Sequence, residues 1–202
     1  MVQDGRQSGC WHPRVAAWRP ALALVPGRPP EWLRSLLRER GSLTARLEGY
    51  GPVSVQVLRE GWGRPAAEEA VALDLPPGRR AWLREVILRC NGGVQIYARS
   101  VVPAHPGAVL GALRRLGAQP LGRLLFAGHD VRRGPLRIAR LHGREPLSCW
   151  LRGYGLPGVT SAWARRSILT TGDQRLLVTE VFLPTASAHE KESEGERGAG
   201  QQ

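Results

Sequence analysis

The sequence lacks several features that mark common classes of protein. Its 202 residues contain no apolar run of about 18 residues, so no segment is long enough to span a bilayer as a helix. The first twenty residues also lack the continuous apolar stretch of a secretory signal, and we expect a cytoplasmic protein. The chain has an odd number of cysteines, and they are far apart in sequence: Cys10, Cys90 and Cys149. This supports neither a disulfide framework nor a thiolate metal site.

The patterns of several familiar active sites are also missing. The chain has no GxSxG, GxGxxG or phosphate-loop pattern. Its five histidines are scattered, and no two of them have the spacing that a metal site or a catalytic triad requires. Each histidine is better explained as a surface or loop residue, and we expect no bound metal.

Lysine is almost absent from a strongly basic chain. The sequence has 29 basic and 17 acidic residues, a net charge of +12, and Lys191 is its only lysine. A positive field attracts nucleic acids, anionic membranes and small anions alike. Because the arginines are dispersed, lack interleaved aromatic residues and show no RNA-binding signature, nucleic acid is the least favoured partner.

Composition divides the chain into three parts. Residues 1–28 are rich in Pro, Gly and Arg without a sustained period, which predicts a partly ordered N-terminal arm. Residues 185–202 consist mainly of small and charged residues, the composition of a disordered tail. The folded domain is predicted at residues 29–184, with an inserted loop near residues 142–162 that is marked by repeated Gly and Pro.

Periodicity within this domain predicts an α+β fold. Helical spacing predicts short helices at residues 31–40 and after Pro106 and Pro120. Alternating or continuous apolar runs predict strands, with hairpin turns at Asn91-Gly92-Gly93 and Gly172-Asp173, at residues 53–62, 81–90, 94–103, 135–141, 165–171 and 174–184. We therefore expect a mostly antiparallel sheet of about six strands with helices packed on one face. The last strand is apolar on both faces and should lie near the centre of the sheet.

Two charged side chains are predicted to lie on apolar strand faces. Glu180 shares its face with apolar neighbours, where ionisation of a carboxyl group is disfavoured. Arg84 is placed in the same way, and an unpaired guanidinium there is costly. Two interpretations stay open. In the structural one, the two residues form a buried ion pair with each other, or the arginine extends its guanidinium to an edge of the sheet. In the functional one, they stand at opposite ends of a pocket that takes an aromatic or cyclic hydroxy acid.

Two backbone positions are candidates for the anion end of such a pocket. Leu121 follows Pro120 at the start of a short helix, where backbone N–H groups lack intrahelical acceptors. Leu43 follows Gly41-Ser42 at the close of the first helix. Each signal alone is weak, because most helix starts bind only water.

Several sequence blocks taken together resemble the chorismate lyase family. In the family's order and at similar spacing, the chain contains SVQVLREGW, WLREVILRCNGG, ARSVVP, LRRLGAQPLGRLLF, WARRSIL and LLVTEVFLP. The resemblance covers residues 29–184 apart from the inserted loop. It implies an antiparallel sheet with helices on one side and an enclosed site. It also implies a cofactor-free carbon–oxygen lyase that eliminates pyruvate from chorismate, leaving 4-hydroxybenzoate for the aromatic-ring branch of ubiquinone synthesis.

The resemblance implies roles for four residues. The arginine of WLRE is Arg84, the leucine of PLG is Leu121 and the glutamate of TEVFLP is Glu180. A fourth position is Leu43, where the family commonly has methionine. Arg84 and the backbone N–H groups of the two leucines would hold the ring carboxylate, and Glu180 would meet the 4-hydroxyl end. Arg84 and Glu180 are the predicted catalytic residues, while Arg99, Arg165 and Arg166 are candidates for the enolpyruvyl carboxylate.

The expected partner is therefore a small molecule, chorismate, bound by a protein that we expect to be a monomer without membrane insertion. One alternative has the same fold. Effector-sensing domains of bacterial repressors keep a similar pocket without catalysis, so the chain would then bind a small aromatic acid and release no product. Incubation of the purified protein with chorismate distinguishes the lyase from the sensing domain.

Overall fold

The computed structural model describes residues 15–90, 95–104, 108–126, 131–156 and 161–183. Within these ranges the chain forms a short 3-10 turn, Leu22–Leu24, followed by six helices and seven strands. The helices are α1 (Glu31–Arg38), α2 (Leu43–Glu48), α3 (Ala67–Ala72), α4 (Ala108–Arg114), α5 (Leu121–Phe126) and α6 (Pro146–Gly153). The strands are β1 (Val53–Gly63), β2 (Ala81–Cys90), β3 (Gln95–Pro103), β4 (Val131–Arg133), β5 (Arg137–Leu141), β6 (Ala162–Thr171) and β7 (Gln174–Leu183).

The strands form one antiparallel sheet in the order β1-β2-β3-β7-β6-β4, with β5 also paired to β6. β4 pairs with residues 169–171 of β6 and β5 with residues 162–166, so the two short strands share one edge of β6. The predicted antiparallel α+β architecture is confirmed. β7 lies between β3 and β6, as its apolar character on both faces predicts.

The two faces of the sheet are covered by different helices. We call the face that carries Val86 and Val178 the front face and the face that carries Ile87 and Val181 the back face. Apolar residues of α1, α2, α4 and α5 pack on the front face. The helices predicted from the sequence all lie there. α3 and α6, which the periodicity did not predict, pack on the back face.

The predicted inserted loop contains a helix. Pro146 begins α6, and Leu147 and Leu151 lie four residues apart on its buried side. They join a core cluster on the back face that includes Tyr97. The described residues of this segment therefore pack on the sheet face opposite to Arg84 and Glu180.

The chain before α1 also contacts the sheet, since Arg19 forms an isolated antiparallel bridge with Ile138. The predicted boundaries of the arm, domain and tail stay a prediction, and the tail at residues 185–202 lies outside the described residues. The expectation for the cysteines is wrong at Cys149, which is disulfide-bonded, because distance along a sequence does not limit distance in space. Cys90 is a buried free thiol. No helix in the described ranges is long and apolar enough to cross a membrane.

Candidate active site

A small cavity lies between the front face of the sheet and the first turns of α2 and α5. Its walls are largely apolar and come from strands β1, β2, β3, β4, β6 and β7 on one side and from the two helices on the other. All four residues predicted from the sequence border it, namely Leu43, Arg84, Leu121 and Glu180. The structure thus brings together residues that are far apart in sequence.

The starts of α2 and α5 meet at one end of this cavity. Ser42 caps α2 by accepting a hydrogen bond from the N–H of Ala45 at 3.2 Å. A Cβ atom on Gly122 would lie 2.4 Å from Ser42 Oγ, so glycine permits the close approach of the two helices. The N–H groups of Leu43 and Leu121 belong to first turns, where helical geometry supplies no acceptor.

Arg84 is fixed at the same end by three oxygen atoms. Its guanidinium is buried, and Nη1 donates to Glu60 Oε2 at 3.1 Å. Nη2 donates to the carbonyl oxygens of Gly117 at 2.7 Å and Gln119 at 3.1 Å. Both carbonyls belong to the connection between α4 and α5. Arg84 therefore holds the segment that positions the N–H of Leu121.

Glu180 at the other end is paired with an arginine. Its Oε2 accepts a hydrogen bond from Nε of Arg165 at 2.5 Å, and the two residues face each other across β7 and β6. The interpretation of a direct pair between Arg84 and Glu180 is therefore wrong. Glu180 shares its face of β7 with apolar residues as predicted, and the neighbouring strand β6 supplies the buried cation, which the sequence did not predict.

The sheet sets the separation of Arg84 and Glu180. β3 lies between their strands, so they are about 10 Å apart across the sheet, from a strand spacing of about 4.8 Å. Ser100 pairs with both Arg84 and Val178, which places Glu180 two residues further along, about 7 Å. A guanidinium and a carboxylate reaching inward from these positions can contact opposite ends of one small ring between them.

Two of the three further arginine candidates lie on the back face. Arg99 donates to Glu69 and Glu85, and Arg166 lies 3.5 Å from Glu68. Strand alternation directs these side chains away from the cavity, so their assignment to the enolpyruvyl carboxylate is wrong. Arg165 is on the front face beside Glu180.

Arg133 was missed from the sequence although it borders the cavity. Its Nη1 donates to Ser167 Oγ at 2.5 Å and its Nε to the carbonyl oxygen of Arg40 at 2.8 Å. Burial lowers the pKa of this guanidinium from its ordinary value. Its strand, β4, has three residues, too few to show a periodic pattern. In the described ranges no group of three or more His, Cys, Asp or Glu residues could hold a metal ion.

Comparison with known proteins establishes the family. A family model described as "Chorismate lyase" matches residues 13–194. The chain belongs to the chorismate lyase family. It is therefore a lyase, and the resemblance drawn from the WLRE, PLGRLLF and TEVFLP blocks is confirmed.

Curated relatives in this family match nearly the whole chain. The "Probable chorismate pyruvate-lyase" of Halorhodospira halophila is 62% identical over 179 residues, which cover 89% of this chain and 96% of that protein. The protein of the same name from Chromohalobacter salexigens is 39% identical over 173 residues, covering 85% and 90% of the two chains.

Solved structures with a similar fold are more distant. The effector domain of PhnF from Mycobacterium smegmatis is 15% identical with a TM-score of 0.48, and the match covers 71% of this chain and 88% of that one. The C-terminal domain of the histidine utilization repressor from Pseudomonas syringae is 16% identical with a TM-score of 0.47, and the match covers 66% of this chain and 92% of that one.

Proposed function

We propose that this lyase eliminates pyruvate from chorismate and releases 4-hydroxybenzoate. Family membership supports the reaction. The observation in this chain that supports it best is one cavity with Arg84 at one end and Glu180 at the other. These groups match the carboxylate and the hydroxyl that stand opposite each other on the chorismate ring.

The reaction defines what the site must do. The C4–H bond and the C3–O ether bond of chorismate break, the ring becomes aromatic, and the departing enolpyruvate gains a proton at its methylene carbon to become pyruvate. Aromatisation supplies the driving force. The protein therefore needs to orient the ring, assist movement of the C4 proton and stabilise the leaving group.

Arg84 is proposed to orient the ring through the C1 carboxylate. Its guanidinium is buried and already held by Glu60 and two carbonyl oxygens, so little reorganisation is needed when the anion binds. The N–H groups of Leu43 and Leu121 would donate to the same carboxylate. A charged fork with two amide donors fixes both the position and the plane of the ring.

Glu180 is proposed to act as a carboxylate at the hydroxyl end. Nε of Arg165 donates a hydrogen bond to Glu180 Oε2. A carboxylate accepts hydrogen bonds and protons but donates none. The C4 hydroxyl and the C4 hydrogen are on the same carbon atom. A carboxylate that accepts from the hydroxyl is therefore close enough to assist removal of the C4 proton, which favours a basic over an acidic role.

Replacing Arg84 by Lys is expected to weaken 4-hydroxybenzoate binding roughly 10- to 100-fold, because an ammonium group cannot reproduce the fork of a guanidinium. Isothermal titration calorimetry measures the change. Arg89→Lys in the same strand is the matched control, since Arg89 is exposed and contacts Gln56. Unchanged affinity in the Arg84 variant would place the ring carboxylate elsewhere.

Incubation of the purified protein with chorismate alone tests the proposed function. We expect pyruvate and 4-hydroxybenzoate in equal amounts, measured by a coupled lactate dehydrogenase assay and by liquid chromatography. Binding of 4-hydroxybenzoate without turnover would instead support the small-molecule sensing domain.

We further propose that the product enters the aromatic-ring branch of ubiquinone synthesis. A strain without this protein should then lose ubiquinone and regain it when 4-hydroxybenzoate is supplied. A monomer, a cytoplasmic location and the absence of a nucleic-acid partner stay predictions, which light scattering, cell fractionation and an electrophoretic mobility assay test.

A further inference from the structure

The proposed substrate carries a second carboxylate that the Arg84 end cannot hold. This carboxylate belongs to the enolpyruvyl group on C3, the ring carbon next to C4. When the C1 carboxylate lies at Arg84 and C4 lies at Glu180, the enolpyruvyl group lies in the Glu180 half of the cavity. This inference rests on the proposed function and asks which residues hold that group.

Arg133 lies in this half of the cavity. It borders the cavity from β4, and its hydrogen-bond partner Ser167 is two residues from Arg165 on the same strand and the same face. Arg133 donates to two carbonyl oxygens of the segment that joins α1 to α2, and Arg165 donates to one carbonyl oxygen of that segment and one in the last turn of α1. The two guanidinium groups therefore lie close together, next to Glu180. Burial and then the positive charge of Arg165 lower the pKa of Arg133.

Arg165 has an unused donor in this region. Its side chain is fully buried, Nε donates to Glu180, and Nη1 donates to the carbonyl oxygens of Leu36 and Glu39 at 2.6 Å each. Nη2 is buried and has no hydrogen-bond partner. In a guanidinium Nη2 lies on the same edge as the Nε–H, so this donor is on the edge that faces Glu180. A buried donor without an acceptor is unfavourable, and a carboxylate partner would satisfy it.

We propose that Arg133 and Arg165 form the subsite for the enolpyruvyl carboxylate of chorismate. Arg133 contacts this carboxylate from the cavity wall, and Nη2 of Arg165 donates to it while Nε holds Glu180. The same groups stabilise the negative charge of enolpyruvate as the C3–O bond breaks. 4-Hydroxybenzoate has no second carboxylate and does not use the subsite.

A comparison of the dianionic substrate with the monoanionic product tests the subsite. In Arg133→Met, kcat/KM for chorismate is expected to fall roughly 10- to 100-fold, through a higher KM and a lower kcat, because one charged hydrogen-bonded contact to the substrate and to the departing enolpyruvate is lost. The Kd of 4-hydroxybenzoate is expected to change less than about threefold. Arg133→Lys keeps the charge and should recover part of the KM. Arg132→Met is the matched control, because this exposed neighbour points to the opposite face, and neither constant should change.

Two results would overturn the subsite. Unchanged kinetics with chorismate in Arg133→Met would remove Arg133 from substrate binding. Equal losses for chorismate and 4-hydroxybenzoate would show that Arg133 only holds the α1–α2 connection through the carbonyl oxygens of Arg40 and Gly41. If Arg133→Met does not fold, Arg133→Lys decides between the same outcomes. Failure of the proposed function is distinct, because the wild-type protein would then release no pyruvate.

Discussion

Glu180→Gln is expected to lower kcat for chorismate roughly 100- to 10,000-fold, the range that one positioned proton-transfer group contributes. Glutamine has nearly the same shape and keeps an oxygen that can accept from Nε of Arg165. It carries no charge and cannot take up the proton that leaves C4. The binding pocket is thus preserved while the proposed chemical step loses its base. Pyruvate release under saturating chorismate measures the effect.

The same substitution has a structural cost that must be measured separately. Removing the charge of Glu180 weakens its hydrogen bond to a buried arginine, and we expect a loss of about 1–3 kcal/mol in the free energy of unfolding. Glu48→Gln is the matched control, since the pair of Glu48 with Arg123 is largely exposed and should affect neither property. If the activity of Glu180→Gln at low temperature follows only its fraction folded, Glu180 has a structural role.

Part of the candidate site could be predicted from where its residues lie on their strands and helices. Alternation placed Arg84 and Glu180 on apolar strand faces, and the structure places both on the front face around one cavity. A helix-start signal at Pro120 placed Leu121 where its backbone N–H approaches that cavity, whereas Leu43 was expected at the close of the first helix and instead begins α2. The placements of Arg84, Glu180 and Leu121 depend on local periodicity or on a proline, which the sequence shows directly.

The partners of the charged residues could not be predicted in the same way. Whether Glu180 faces Arg165 or another residue of β6 depends on the register between β6 and β7, which the β6–β7 hairpin turn and the packing set together. Glu60 faces Arg84 through the register of β1 with β2, which contains a shift between Val57 and Arg59. A single sequence does not show such a shift.

Among the elements that the sequence did not predict, α6 and α3 were missed for different reasons. The Gly-rich and Pro-rich composition around α6 predicted a loop, although Leu147 and Leu151 supply one buried side of a helix. α3 has six residues and only one buried side chain, Glu69, so its apolar periodicity is absent. Glu69 is buried because Arg99 of the sheet binds it, and a contact between distant residues leaves no periodic signal.

Arg99→Met is expected to cost about 3–5 kcal/mol in the free energy of unfolding, the loss found when one partner of a buried ion pair is removed. Arg99 binds Glu69 through Nε at 2.7 Å and Nη2 at 3.0 Å, and its Nη1 donates to Glu85. Its Cζ also lies 4.1 Å from the centre of the Trp150 ring. The side chain therefore joins α3 and α6 to the sheet. Urea unfolding followed by circular dichroism measures the loss.

The expected loss of stability is large because two carboxylates remain buried after Arg99 is replaced. Methionine fills similar space, but Glu69 and Glu85 would stay buried without their cation. Combining Arg99→Met with Glu69→Gln and Glu85→Gln should therefore recover part of the lost free energy, an interaction that a mutant cycle measures. Arg175→Met is the control, because Arg175 pairs with an exposed Asp74 and its loss should cost less than about 1 kcal/mol.

The activity of Arg99→Met tests whether a change on the back face of the sheet affects the active site on the front face. Arg99 lies on the back face and does not border the cavity, so folded Arg99→Met should turn over chorismate at nearly the wild-type kcat. A stability of about 5–15 kcal/mol is ordinary for a protein, so the variant should still be largely folded at low temperature. If kcat falls severalfold while the variant is folded, the buried cluster supports the geometry of the front face through the shared strands. If the unfolding free energy changes by less than about 1 kcal/mol, the carboxylates do not depend on Arg99, and its role in joining α3 and α6 to the sheet is wrong.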